Sequence, residues 1–241
     1  MPATAATTRF GIALPGGSSG SLTPSSLADA ARQIEATGFT SAWAFDSISR
    51  GFLLADPLTA LAVAGTVTRT IELGTGVLQV PLRNPVELAQ RVLTTHLVSG
   101  GRLRLGVGVG WSPVEFEALG ETLDNRGQRI EEQVDVMRAL WTRELVTCEG
   151  RWHRVPDAGL NPLPVQRPIP LWMGGDHEAV LRRMARLADG WITLPSFRPG
   201  AAAQETIDRL HRRIREAGRD PAAFGIEARM ALAQTAVENR A

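Results

Sequence analysis

Apolar positions along this 241-residue chain fall into two alternating patterns. Short apolar runs that end at Gly or Pro predict strands, and longer runs with apolar residues three and four apart predict helices. Strands are predicted over residues 10–15, 41–45, 71–80, 103–109, 171–173, 190–194 and 224–231. The third is interrupted by Gly74 and Gly76. Helices are predicted from Thr23-Pro24 to a stop at Gly38, from Asp56-Pro57, from Asn84-Pro85 to Ser99-Gly100-Gly101, and from Ser112-Pro113 through Leu119. Each start sets a capping side chain before a proline whose fixed φ suits the first helical position. In the first helix Leu27, Ala31 and Ile34 line one face.

The rhythm changes near residue 120. A long helix is predicted over 125–141, with Ile130, Val134, Met137 and Trp141 on one face. A hairpin over 145–155 is expected to turn at Glu149-Gly150, and a connector over 156–170 carries prolines at 156, 162, 164, 168 and 170. Helices over 178–187 and 201–217 then resume the alternation. Strand–helix alternation with Gly at the strand ends implies a parallel sheet with crossover helices. An open doubly wound sheet and a (β/α) barrel both satisfy the pattern, as one domain over 1–241 with the 120–170 stretch as an insertion.

Composition removes several chemistries. All 26 basic residues are Arg, so Schiff-base catalysis and a lysine-bearing phosphate loop are excluded. The one cysteine, Cys148, rules out an internal disulfide and a multi-cysteine zinc site, and its place in the hairpin argues against a nucleophile. His96, His153 and His211 lie on different elements without metal-ligand spacing, so no metal is expected. A net charge of +1 gives no field for nucleic acid or an anionic membrane, and Arg209 to Arg215 alternate around a helix as a solvated face. Residues 1–8 lack a basic stretch followed by an apolar one, and no apolar run approaches a membrane span, so a cytoplasmic enzyme is expected. Arg without Lys, with heavy Ala and Gly use, also points to GC-rich coding.

The run 97–111, with Ser99-Gly100-Gly101 before the strand and Gly106, Gly108, Gly110 and Trp111 along it, resembles the bacterial luciferase-like monooxygenase family. The similarity is greatest to its F420-dependent oxidoreductase branch. Further agreement comes from 73–77 with 81–85, from 115–120, from 162–168, from Trp172-Met173-Gly174-Gly175 and from 188–191. The resemblance covers residues 9 to 232 and implies a (β/α)8 TIM barrel. This chain departs from the family in three places. Asp46-Ser47 stands where Asp-His is usual, Asp176-His177 follows the Gly-Gly pair where a Ser is usual, and the chain stops near its seventh strand. An α/β barrel short of its eighth strand–helix unit is therefore expected.

In such a barrel the active site lies at the C-terminal strand ends. The candidates there are Asp46, Ser47, Gly76, Val77, Gly110, Trp111, Gly174, Gly175, Asp176 and His177 for the cofactor, with Asp46, Trp111 and Glu115 for catalysis. Gly lets a flat ring approach the backbone. The resemblance implies a cis peptide at Gly76-Val77 supporting that ring, and a cofactor phosphate at the helix start after Gly174-Gly175. Asp176 is a candidate cap for that helix, and a protonated His177 would offset its charge. Asp46 is expected to hydrogen-bond ring or substrate, Trp111 to stack on substrate or wall the pocket, Glu115 to face the pocket and Glu117 to face solvent. Arg83 and Arg50 are candidates for a basic groove receiving an anionic tail.

The function these features imply is hydride transfer between coenzyme F420 and a small organic substrate, by a homodimer. GC-rich coding favours F420. The alternatives are a reduced-FMN monooxygenase of the same family and a non-catalytic flavin-binding barrel or subunit, the latter motivated by Ser47 and the missing eighth unit.

Overall fold

A computed structural model describes residues 9–16, 25–48, 51, 53–164, 166 and 168–229. The chain divides into two compact units, residues 1–170 and 171–241. The predicted starts at Thr23-Pro24, Arg50 and the end of the seventh strand beyond residue 229 lie outside the described residues.

In the first unit, β1 (Gly11–Ala13), β2 (Ser41–Ala44) and β3 (Glu72–Thr75) pair in parallel, and β3 pairs in parallel with β5 (Leu103–Gly108). Between them β4 (Leu78–Gln79) continues β3 and also pairs with β5. Helices α1 (Ser26–Ala36), α2 (Pro57–Val67) and α3 (Pro85–Val98) are the crossovers, followed by α4 (Pro113–Ala118) and α5 (Arg126–Thr142). The expected caps act at two starts. Asp56 Oδ1 accepts from Thr59 N at 2.9 Å, and Asn84 Oδ1 from Val86 N at 2.9 Å. Ser112 makes no such bond. The buried face of α1 is Leu27, Ala31 and Ile34, as its periodicity predicts.

The hairpin turns two residues later than its sequence suggests, at Arg151-Trp152, where Gly150 N donates to the His153 carbonyl at 2.9 Å. Strands β6 (Val146–Glu149) and β7 (Arg154–Ala158) are joined across residues 150–153, not at a Glu149-Gly150 turn. The reason is Glu132 on α5. Its carboxylate accepts from Arg151 N at 2.7 Å, Trp152 N at 3.0 Å, His153 N at 2.7 Å and His153 Nδ1 at 2.8 Å. Four donors converge on one carboxylate, so the turn wraps around it.

The second unit carries β8 (Leu171–Gly174), β9 (Gly190–Ile192) and β10 (Gly225–Glu227), all parallel, with α6 (Glu178–Leu187) and α7 (Ala201–Glu216). Both units use one packing device. Trp43 of β2 lies against Gly11 and Gly74 on its neighbouring strands, and Trp172 of β8 lies against Gly190 and Gly225. A Cβ at any of the four would overlap the indole. Glycine in these strands is a complement to tryptophan.

One carboxylate fastens α1 to the segment entering β3. Glu35 accepts from Arg69 N at 2.9 Å, Thr70 N at 2.7 Å, Thr70 Oγ1 at 2.8 Å and Ile71 N at 3.3 Å. Burial alone would raise its pKa, but these donors outweigh burial and hold it at about 2, against an ordinary value of 4.5. A depressed carboxylate stabilises the fold above its unfolded pKa and loses that contribution as pH falls towards the folded value. Thermal melts of Glu35→Gln should therefore show a lower Tm than wild type at pH 7. The difference should shrink between pH 4.5 and 2. A difference that does not change with pH would contradict this account.

Candidate functional site

The strand-end face of the first unit is shaped by a bulge. Gly74 pairs with Arg104, and Leu78 pairs with Val107. The β3–β4 strand therefore spends four residue steps where β5 spends three, so one extra residue is accommodated. The Gly76-Val77 peptide within this bulge is cis, as the family resemblance implies. Val77 then lies over Gly108, where a Cβ would come within 2.6 Å of Val77 Cγ2. Gly110, at φ +76°, leaves room for Gln79, whose Oε1 would be 2.7 Å from a Cβ there. Gly108 and Gly110 thus accommodate side chains of the bulged strand itself. At Gly110, where the missing Cβ is expected to make room for a ring, that space lies against Gln79 Oε1 and the Phe116 ring.

Asp46, at the end of β2, has a side chain only 2% exposed. Its Oδ2 accepts from Gln79 N at 2.8 Å and from Arg83 NH1 at 2.7 Å, while Oδ1 accepts from Arg83 NH2 at 2.9 Å. Arg83 also donates to the Gln79 carbonyl at 2.9 Å. The carboxylate expected to meet ring or substrate is instead the anchor of the bulged strand. The guanidinium expected to face an anionic tail is 9% exposed and committed to Asp46.

Ser47 and Glu115 do come together. Glu115, 1% exposed, accepts from Ile48 N at 2.6 Å and from Ser47 Oγ at 3.1 Å, so α4 fixes the loop after β2. Glu117 faces solvent, as expected. Trp111 is 70% exposed, which places it at the rim of this face and not in the core.

Gln79 is a site residue that the sequence pattern does not single out. It is 6% exposed, and among the described residues its Oε1 accepts no hydrogen bond. Its position, three residues after Gly76 in an apolar run, was the available signal. Nor does the pattern single out Arg129 and Gln133, both buried on α5 and four residues apart beside the apolar stripe.

In the second unit Gly175 has φ +108°, and α6 begins just after it. The N-cap is His177, whose Nδ1 accepts from Ala179 N at 3.3 Å. Asp176 is therefore not the cap. An anion at this helix start would compete with His177 for the Ala179 N–H. Among the described residues no group of three His, Cys, Asp or Glu converges as a metal site, and no helix is long and apolar enough to cross a membrane.

The model of the family described as luciferase-like monooxygenase matches residues 8–241. The chain belongs to that family. A family relative, the F420-dependent glucose-6-phosphate dehydrogenase of Nakamurella multipartita, is 32% identical over 203 residues, 81% of this chain and 60% of that one. The chain spans about half the length of other curated family relatives it matches. Among solved structures, the monooxygenase RslO1 from Streptomyces bottropensis superposes with a TM-score of 0.81 at 26% identity, covering 97% of this chain and 74% of that one. An F420-dependent secondary alcohol dehydrogenase, solved with an F420-acetone adduct, gives a TM-score of 0.77 at 25% identity over 92% of this chain and 68% of that one. The fold class is the α/β TIM-barrel type of the luciferase-like family. Among the described residues the first unit holds four mutually parallel strand positions, counting β3–β4 as one, and the second unit holds three.

Removing one partner of a buried ion pair leaves the other uncompensated. Asp46→Ala should cost about 3–5 kcal/mol of unfolding free energy in urea titration. Asp46→Leu combined with Arg83→Met should cost less than the single substitution. A double variant as unstable as Asp46→Ala would contradict this assignment.

Proposed function

We infer that this chain is an oxidoreductase that uses coenzyme F420 and exchanges a hydride with a small organic substrate. The structural observation carrying the inference is Gln79 Oε1, a buried acceptor without a donor beside the bulge. A buried unsatisfied acceptor calls for a partner. The pyrimidine edge of a deazaflavin carries an N–H that meets this need, so the residues present fit the group. The relative named for F420 dependence, 32% identical over 81% of this chain, supports the same choice.

Gln79 and the backbone of residues 76–78 would hold the ring edge, while Asp46 and Arg83 keep that strand in place. When bound, the coenzyme supplies hydride chemistry, and the protein contributes orientation and electrostatics. Ser47 stands where a His is usual in the family. Its hydroxyl bonds to Glu115, so a proton at a substrate oxygen is handled by Ser47 Oγ with Glu115 as the carboxylate behind it. We place this reaction in the cytoplasm, on a homodimer.

A reduced-FMN monooxygenase is the second reading. It is favoured by the similarity to RslO1 over 97% of the chain. Arg83 does not discriminate between the two, because its guanidinium is held by Asp46.

Titration of the purified protein with F420 and separately with FMN, followed by ligand fluorescence, decides between them. F420 should bind more tightly than FMN, and Gln79→Leu should weaken F420 binding by about tenfold, the worth of one well-made buried hydrogen bond. Tighter FMN binding would replace the hydride-transfer reading with the monooxygenase one. Binding of neither would overturn both in favour of a non-catalytic barrel.

A further inference from the structure

After β4 the chain leaves the sheet and turns through a short 3-10 helix, Val80–Leu82. Such a turn satisfies few of its own carbonyls, and buried carbonyls need partners. This turn is buried, with Val80 at 0% and Leu82 at 7% exposure. The partners come from α5. Gln133 donates Nε2 to the Arg83 carbonyl at 2.8 Å and to the Val80 carbonyl at 3.3 Å. Arg129 donates to the Pro81 carbonyl at 2.9 Å, and its other amino nitrogen pairs with Glu121 at 2.5 Å. Residues four apart on a helix share a face, so the two reach the same stretch of chain. Asp46 grips that stretch at its two ends, through Gln79 N and the Arg83 side chain. The segment 79–83 is thus held by β2 on one side and by α5 on the other.

We propose that Arg129 and Gln133 are positioning residues for the strand-end site. They fix the ledge from Gly76 to Arg83, and through it Gln79 Oε1, so that α5 sets cofactor affinity without touching the cofactor. The identity of the ligand rests on the F420 reading; the fixing of the ledge does not.

The test compares Gln133→Leu and Arg129→Met with Trp141→Phe. Trp141 is fully buried on the same helix, and its Nε1 donates to the Ala89 carbonyl on α3 at 3.1 Å. Replacing it loosens α5 without removing a donor to residues 80–83. Arg129→Lys retains a donor, and Gln133→Asn serves if Gln133→Leu does not fold. Each variant is measured for Tm, for amide hydrogen exchange in peptides spanning 76–83, and for F420 and FMN affinity by fluorescence. Gln133→Leu and Arg129→Met should exchange faster in the ledge. Their F420 Kd should rise about tenfold or more, since small misplacements of a binding group are costly. Trp141→Phe should keep wild-type ledge exchange and Kd at an equal or larger loss of Tm, and Arg129→Lys should recover most of both. A Kd that simply tracks Tm across all variants would overturn the proposal, as would unchanged ledge exchange in Gln133→Leu and Arg129→Met. If wild type binds neither ligand, the F420 reading fails separately. Ledge exchange still decides the positioning claim: acceleration confined to the Gln133 and Arg129 variants supports it, and equal acceleration in Trp141→Phe overturns it.

Discussion

A strand that bulges takes backbone groups out of the ladder, and each of those groups needs a new partner if it is buried. That constraint organises the strand-end face of the first unit. Past the bulge at Gly76-Val77, the groups of residues 79–83 are met by Arg83 within the segment and by side chains from distant parts of the chain. Asp46 takes the Gln79 N–H, Arg83 meets the Gln79 carbonyl, and Arg129 and Gln133 meet three further carbonyls. The Asp46–Arg83 pair is buried, and desolvation of such pairs can exceed their attraction. Here the carboxylate and guanidinium each make an additional bond to the backbone of Gln79, which offsets that penalty.

A site gains precision when the groups that support it are themselves locked. Asp46, Arg83, Arg129 and Gln133 satisfy the turn, while Gln79 Oε1 within it, like Gln133 Oε1 beside it, is a buried acceptor without a partner among the described residues. Under the proposed F420 reading, that Gln79 acceptor is the group that would take an N–H from the ring edge. The loop after β2 is treated likewise: Glu115 reaches across from α4 to hold Ser47 and Ile48. Two carboxylates at the strand ends, Asp46 and Glu115, therefore act first on the protein's own backbone.

Much of the frame is legible in local sequence, because local physics sets it. Apolar runs ending at Gly mark the strands, and Asp56-Pro57 and Asn84-Pro85 mark helix starts whose caps are made in the fold. The family resemblance supplies the barrel, which periodicity leaves open, and the cis peptide. The anchors are not legible. Asp46 and Arg83 lie 37 residues apart, and Gln133 reaches back 50 residues to the Arg83 carbonyl. Side chain to backbone bonds of that span leave no periodic trace. The same holds for Glu132, whose four donors set the hairpin turn at Arg151-Trp152 and not at the Glu-Gly pair, and for Trp43, which explains Gly11 and Gly74 only once the strands are aligned. At Gly174–His177 local preference favours Asp176 as the cap, but the fold sets His177 at the helix start.

Amide hydrogen exchange of the wild-type protein with and without F420 tests the central claim most directly. If the bulged strand is the platform for the ring, F420 should slow exchange in peptides covering 76–83 and leave the hairpin over 146–158 unchanged. Protection elsewhere with none in 76–83, at F420 concentrations that saturate the fluorescence signal, would contradict the account.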